Sequence, residues 1–442
     1  MYLFYSVLFT LGLLALLPRF ALDALRHKKY VAGLRERCGA LPVFDTKNRS
    51  VVWLHCVSVG ETQAARTLAH QLLKEYPTHT LVVSTVTLTG QRVAREVFKA
   101  EAALVFYFPF DWAWSVRRAL DHIKPSIVLI METELWPRFL HECRVRNVPI
   151  ALINGRLSER SLRGYKRVGM FIKSVVNDLT LALMQTEDDA GRIKALGLST
   201  DRIQVTGNVK FDAQDDSSEQ ALTTEMRARF QFTDERTLIV AASTHAPEER
   251  IVIEAFKEIM RAAVGRSRPR LLLAPRHPER FAEVAALLAA SGFAWTRRTH
   301  VPNAQDATCD AVLLDSIGEL RAVYPLAGIV FVGGSIAPTG GHNILEPAAA
   351  GVCIVTGAHT HNFAAIVNVF REHDALVQLP AATEIDAPHL LAKVFNDLLS
   401  DREQRETLAR NARTTFERNQ GATKRTVELL APLFATSGKI SS

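Results

Sequence analysis

The chain has 442 residues, 48% of them apolar and 22% charged, with a formal net charge of +7. That length holds two domains, each with a core of its own, and the composition excludes a disordered, collagenous or disulfide-built chain. The positive balance points to an anionic partner such as a membrane surface or a phosphorylated substrate; nucleic acid is the weakest of these, since no basic stripe is interleaved with aromatics and no zinc-finger spacing occurs. Cys38, Cys56, Cys143, Cys309 and Cys353 are scattered without a C-x-x-C pair, so neither a disulfide framework nor a zinc site is indicated, and the redox habit is cytosolic.

Tyr2 to Leu17 carries no charge and ends at Pro18-Arg19. As a helix it is about 24 Å long against a hydrocarbon core of about 30 Å, enough to span only marginally or to enter at a slant. No Lys or Arg precedes it and no small-residue cleavage site follows, which argues against a secretory signal. Arg19, Arg26, Lys28, Lys29, Arg35 and Arg37 follow; such residues belong on the cytoplasmic side and attract anionic headgroups. The bland alternative is a buried core helix. The expectation is an uncleaved anchor and basic juxtamembrane segment over 1–37 that hold a cytoplasmic enzyme against the membrane.

Strand and helix signals then alternate. Val51–Cys56 (VVWLHC) is a strand, followed by Ser58-Val59-Gly60-Glu61 and a helical run to Tyr76. Leu81–Val86 leads to Thr87–Lys99, Ala103–Phe108 to Asp111–Ile123, and Ile127–Ile130 to Glu134–Arg146. Ile150–Ile153 leads to a polar loop, Leu179–Met184 to Thr186–Leu196, and Ile203–Val205 ends at Gly207-Asn208-Val209-Lys210. The alternation predicts a parallel sheet with helices on both faces, whose ligands bind beyond the carboxyl ends of the strands.

Four features fall at such ends: Ser58–Glu61, Met131–Glu134, Asn154–Arg156 and Asn208–Lys210. Glu61, just after a glycine at a helix start, is the candidate acid. Ser58-Val59-Gly60-Glu61 equally fits the S-x-x-E capping box, in which Glu61 only satisfies a backbone donor. The base reading requires a carboxylate that stands clear of its own helix. Glu132 and Glu134 flank Thr133, and alternation sends both to one face if the strand continues. Arg156, Arg160 and Arg163 are able to grip anions, although loop arginines are more often solvated.

Asp212–Ser218 (DAQDDSS) reads as a hinge. Beyond it Leu238–Ala241 ends at Ser243-Thr244-His245, Arg270–Ala274 at Pro275-Arg276-His277, Ala311–Leu314 at Ser316-Ile317-Gly318-Glu319, and Val352–Val355 precedes Gly357 to Phe363. Arg276 is placed for a phosphate or carboxylate, or is a plain surface arginine. Ile329–Val332 runs into Gly333-Gly334-Ser335, and Gly340-Gly341 precedes His342-Asn343 and a helical segment Asn343–Ala350. Glycines at a strand-to-helix turn let backbone N–H groups approach a ligand, and the helix start favours an anion by about 0.3–1 kcal/mol. This describes a phosphate seat, with Glu346 one turn on to accept from a ribose diol; an ordinary glycine-rich crossover turn is the alternative. Gln404–Leu433 is an amphipathic tail of one or two surface helices.

His342, His359 and His361 lie around loops without metal spacing, and no metal is expected. No G-x-G-x-x-G follows the first strand, and P-loop and G-x-S-x-G patterns are missing. The residues alone reach a nucleotide-dependent transferase.

HCVSVGE (55–61), LIMETELWP (129–137), NGRLSERSLRGY (154–165), TGNVKFD (206–212), APRHPERF (274–281) and FVGGSIAPTGGHNILEP (331–347) together resemble the 3-deoxy-D-manno-octulosonic acid (Kdo) transferases of Gram-negative bacteria, over nearly the whole chain. The resemblance implies an α/β protein of the GT-B class: two Rossmann-like doubly wound domains facing across a cleft, with the N-terminal membrane-anchor helix. The acceptor domain is expected at 38–211, a linker at 212–222, the CMP-sugar domain at 223–420 and a C-terminal tail at 421–442. It further implies inverting, metal-independent transfer of Kdo from CMP-Kdo to the lipid A precursor, without a cofactor. Glu61 matches the family's general base, and Glu132 and Lys210 match residues that stabilise the transition state. Pro275 and Arg276, then Ile317, Gly318 and Glu319, then Asn343, Ile344, Leu345 and Glu346 match three segments that contact CMP. Ile344 stands where the family pattern has Pro, and Gly155 where it has Ala. The rival readings are another GT-B nucleotide-sugar transferase or a nucleotide-sugar 2-epimerase.

Overall fold

A computed structural model describes residues 1–27, 33–212, 217–233, 235–263 and 268–437. Lys28, Lys29 and the hinge positions 213–216 lie outside the described residues. The chain divides into two compact units, Met1–Gln214 with Asn419–Ser442, and Asp215–Arg418.

The first unit is built on a parallel sheet of β1 (Ser50–His55), β2 (His79–Thr85), β3 (Ala102–Tyr107), β4 (Ile127–Met131), β5 (Ile150–Gly155), β6 (Leu181–Met184) and β7 (Ile203–Val205), in the order β3-β2-β1-β4-β5-β6-β7. Because helices cover both faces, the strands are predominantly apolar, as in Ile127–Met131, rather than alternating. Val51 and Trp53 enter one core with Phe106, Val128 and Phe139. Val52 and Leu54 enter the other with Leu68, Leu129 and Ile153. The chain's last described helix, Ala422–Ser437, returns to this second face, burying Val427, Leu430 and Phe434, and Phe434 stacks on Tyr76 at 4.0 Å. The polar loop expected after β5 instead forms two helices, Glu159–Lys166 and Gly169–Val176.

The N-terminal helix, Tyr2–His27, lies on this unit. The Tyr2 hydroxyl donates to Asp178 at 2.6 Å, the Trp112 indole donates to the Thr10 hydroxyl at 2.9 Å, and the Tyr5 ring stacks on Phe171. Phe4, Val7, Leu8, Leu11 and Leu14 are left on the outer side, each at least half exposed. Among the described residues no helix is long and apolar enough to cross a membrane. The spanning form of the expected anchor is therefore not supported. Nor is Arg37 a headgroup ligand here: its guanidinium sits 4.7 Å from the centre of the Tyr107 ring and donates to the Val86 carbonyl.

The second unit repeats the plan with β8 (Leu238–Thr244), β9 (Arg270–Pro275), β10 (Trp295–Arg297), β11 (Ala311–Leu313), β12 (Ile329–Val332), β13 (Cys353–Thr356) and β14 (Val377–Gln378), all parallel, in the order β10-β11-β9-β8-β12-β13-β14. Its core gathers Ile239, Phe256, Leu271, Phe331, Val355 and Phe395. The hinge positions 217–222, expected to be irregular, begin the helix Ser217–Phe230.

In each sheet the strand order reverses beside the unit's first strand: between β1 and β4, and between β8 and β12. Such a switch point leaves a crevice beyond the carboxyl ends, because the flanking crossovers go to opposite faces.

Candidate active site

At the first switch point β1 and β4 pair in register, His55 opposite Ile130, so the residues that follow them emerge side by side. Ser58 is the N-cap of the helix Val59–Glu75 and accepts the Glu61 N–H at 3.4 Å. The Glu61 carboxyl turns back on this helix start: one oxygen accepts the Val57 N–H at 2.7 Å, the other the Ser58 hydroxyl at 2.9 Å. The capping reading is thus realised, with the Val57 N–H in place of the cap residue's own. The carboxylate is not clear of its own helix, so the expectation as framed fails in this conformation, and a base role requires the acceptor hydroxyl to reach the oxygen that now takes the Ser58 hydroxyl.

Glu61 nevertheless differs from an ordinary surface cap. Its side chain is buried, and burial pushes its pKa up from 4.5 to about 7 against the pull of the Val57 N–H and the Ser58 hydroxyl, with Glu132 and Glu134 raising it further. Glu134 is itself raised, first by burial and then by Glu132. An ordinary surface cap keeps its full charge at neutral pH. This carboxyl is poised between its two forms.

Glu132 does not continue β4. Its φ of +57° is left-handed, a conformation that costs a non-glycine residue about 1 kcal/mol, so the alternation argument for Glu132 and Glu134 fails at this residue. The turn brings the Glu132 carboxylate within 2.9 Å of the Lys210 ammonium. Lys210 is set by Asn154 and Asn208. The Asn154 side chain, fully buried and also left-handed at φ +52°, accepts the Val209 N–H, and Asn208 accepts the Lys210 N–H at 3.0 Å. Glu61, Glu132 and Lys210 are therefore brought together in one unit by the ends of β1, β4 and the turn after β7. Arg160 and Arg163 stand exposed on the helix Glu159–Lys166.

The second switch point corrects the expected phosphate seat. The main-chain N–H groups of Gly334, Ser335, Ile336 and Ala337 converge as anticipated, but on the carboxylate of Glu248, at 2.7, 2.9, 2.8 and 3.2 Å; Glu248 also accepts the His245 N–H at 3.0 Å. An internal anion fills the nest. Gly333 is required for that packing, since a Cβ there would lie 2.8 Å from the Glu248 carboxylate and 2.7 Å from the Thr244 backbone.

Of the expected nucleotide residues, Pro275 ends β9, and Arg276 is exposed with no ion pair among the described residues. Ile317 is exposed and Gly318 turns the chain at φ +86°. Glu319 is held by the Arg298 guanidinium at 2.9 and 3.1 Å. Ile344 and Leu345 bury their side chains, which leaves only their backbone for a ligand. Asn343 accepts the Leu345 N–H, and Glu346 receives Asn343 and Arg321, each at 3.3 Å. The helix these residues open is short, Leu345–Ala349. Two residues given no role from the sequence are the buried Glu248 and His245, whose imidazole meets that of His342 at 2.8 Å. The only sequence signal for them is their place after a strand.

Residues 32–213 match the family model described as 3-deoxy-D-manno-octulosonic-acid transferase (kdotransferase). The 3-deoxy-D-manno-octulosonic acid transferase of Haemophilus influenzae is 31% identical over 97% of this chain and 98% of its own length. The chain belongs to the Kdo transferase family. The enzyme of that name from Bordetella pertussis is 33% identical over 86% of each chain. The transferase fold is shared more widely: UDP-GlcNAc 2-epimerase from Neisseria meningitidis aligns with a TM-score of 0.57 at 14% identity, over 87% of this chain and all of that one. A glycosyltransferase from Rickettsia africae gives 0.54 at 14%, over 88% and 99%. In this transferase the match to the family model takes in Glu61, Glu132 and Lys210 and stops short of the second unit. No group of three or more His, Cys, Asp or Glu placed to hold a metal ion occurs among the described residues.

Proposed function

We propose that this Kdo transferase takes Kdo from CMP-Kdo and places it on a sugar hydroxyl of the lipid A precursor by a single inverting displacement without a metal or other cofactor. The observation that carries the reading is the Glu61 carboxyl, buried at the first switch point with a pKa raised to about 7 beside Glu132 and Glu134. A base poised near neutrality is half ready to accept a proton and strong enough to take one, which contributes about 10²–10⁴ in rate.

In this reading the acceptor binds the first unit. The acceptor hydroxyl displaces the Ser58 hydroxyl or uses the free lone pair of the same oxygen, gives Glu61 its proton and attacks the anomeric carbon of Kdo. The bond to the CMP phosphate breaks on the opposite face, which inverts the centre. Lys210, fixed by Asn208 and paired to Glu132, offsets charge that develops in the transition state. The second unit holds the donor, with Arg276 the cation at the carboxyl end of β9 and Glu346 facing the ribose.

The N-terminal helix is the proposed membrane contact, at the cytoplasmic face of the inner membrane. The outward residues Phe4, Val7, Leu8, Leu11 and Leu14 support a helix that lies in the interface with its inner side on the protein. Anionic lipids are the proposed partners of the basic residues that follow, Arg37 excepted.

The test is incubation of the purified enzyme with CMP-Kdo and a lipid A precursor, read by mass spectrometry. Addition of one or more Kdo masses with release of CMP is expected. Competition by UDP in place of CMP, or no transfer, overturns the donor assignment.

A further inference from the structure

The glycine loop's amides are spent on Glu248, so a phosphate at the second switch point must find its donors elsewhere. His245 leaves the end of β8, and His342 follows the paired glycines after β12. Their Nε2 atoms are 2.8 Å apart and their rings are within 8° of parallel, with centroids 5.0 Å apart. The centroid separation exceeds the nitrogen separation by the two ring radii, so the imidazoles meet edge to edge in nearly one plane, joined by an N–H···N hydrogen bond. His277, next to Arg276, sets its ring edge-on to His245 at 5.0 Å and 79°.

The bond dictates what the pair can do. One Nε2 must carry the shared proton and the other must accept it. The accepting ring, when neutral, carries its own proton on Nδ1; the donating ring has a bare Nδ1. The neutral pair thus offers one donor and one acceptor outward. A single added proton turns both Nδ1 atoms into donors and leaves one positive charge on the pair.

We propose that the His245–His342 pair is the contact for the donor's phosphoryl group and that it takes up one proton from solvent as the nucleotide's negative charge arrives. This rests on the reading of the second unit as the CMP-Kdo site. The chemistry then favours departure over binding. In the donor the phosphate is a diester with one charge. When the bond to the anomeric carbon breaks, its electron pair goes to the phosphate oxygen and the charge becomes two. A pair that charges only when an anion presses on it holds the departing group more tightly than the bound donor, which is the condition for a rate gain.

The surroundings keep the empty pair neutral. Burial lowers the His342 pKa to about 4, and His245, Arg276 and His277 push the same way. Burial lowers His245 as well, followed by His277, then against it Glu249, then Arg276 and Arg280. Glu249 gives one oxygen to Arg280 at 2.6 Å and keeps the other buried without a partner, so it is the one carboxylate among these neighbours that favours charging the pair, while Glu248 is saturated by backbone donors.

The full chain is titrated with CMP at pH 7 by calorimetry in two buffers of different ionisation enthalpy, with cytidine as the probe without phosphate. Uptake approaching one proton per CMP is expected, none with cytidine, and little in His342→Gln or His245→Gln, which bind CMP about ten- to a hundredfold more weakly. His277→Gln keeps the uptake. The residual proton on CMP itself is released on binding to a cation, so it carries the opposite sign. CMP binding without proton uptake, or with uptake unchanged in both pair variants, overturns the assignment and leaves the donor reading intact. UMP binding with uptake where CMP fails to bind overturns the donor reading and leaves the pair. Failure of both nucleotides to bind overturns both.

Discussion

Glu61→Gln separates the cap seen in the structure from the base proposed for the same carboxyl, because they predict opposite signs in stability. The folded pKa is raised from 4.5 to about 7, so the protonated form is favoured by folding. The stability tied to that proton is fully present below about pH 4.5 and is lost as pH rises through about 7. At 1.36 kcal/mol per unit, holding the charge costs the fold about 3 kcal/mol at pH 8. Glutamine keeps the shape and one acceptor oxygen for the Val57 N–H, and loses at most a cap interaction of about 1 kcal/mol. The variant should therefore be more stable than the native chain by about 2 kcal/mol at pH 8 and roughly equal to it at pH 5. Its kcat for Kdo transfer should fall by about 10²–10⁴. Urea denaturation at the two pH values and single-turnover transfer measured by mass spectrometry give both numbers. A variant that is less stable at pH 8 and keeps its transfer rate within a few-fold would make Glu61 a cap and nothing more.

The other predictions follow from the same contacts. Glu248→Gln sets an amide NH₂ against either the two N–H donors on one oxygen or the three on the other; with at least two donors orphaned at about 1–3 kcal/mol each, the loss of unfolding free energy by denaturant titration should be about 2–6 kcal/mol, and a loss under about 1 kcal/mol would show that the nest does not need its anion. Lys210→Met leaves Glu132 unpaired beside Glu61, so the acid limb of the pH–rate profile should move upward and kcat fall about 10²-fold; an unmoved limb would uncouple the three residues. Leu8→Asp with Leu11→Asp, both on the exposed side of the N-terminal helix, should abolish flotation with anionic vesicles while the melting temperature stays put; continued flotation would put the membrane contact elsewhere.

Much of this structure was legible because parallel strands buried on both faces are short apolar runs bounded by polar turns. Ile127–Met131 and Ile329–Val332 are of that kind. What escaped had no such stripe. The helix Glu159–Lys166 buries no residue, and β10 and β14 are edge strands of three and two residues, too short to show a period. The site divided the same way. Glu132 and Lys210 could be placed because each follows a readable strand, and Glu61 because it lies at the start of a readable helix. The left-handed turn at Glu132 could not, since nothing in Met-Glu-Thr-Glu demands a positive φ. The glycine loop was read correctly as a nest of amides and wrongly as an empty one. Its occupant stands 86 residues earlier in the chain, and composition carries no information about that pairing.

The two switch points make one comparison that the sequence cannot. Each has a glutamate near the start of the helix that follows the unit's first strand, and burial is the largest influence on both, raising both pKa values. At Glu248 five backbone N–H donors answer it, every lone pair has a role, and no substrate atom can be added without removing a structural bond. At Glu61 the donors are one amide and one hydroxyl, and two further carboxylates add to the strain on its charge. Under-satisfaction is the physical difference between a carboxylate that builds a loop and one left able to take a proton. If Glu61 is the base proposed above, adding donors around it should trade rate for stability, because the fold then keeps it reactive by withholding them.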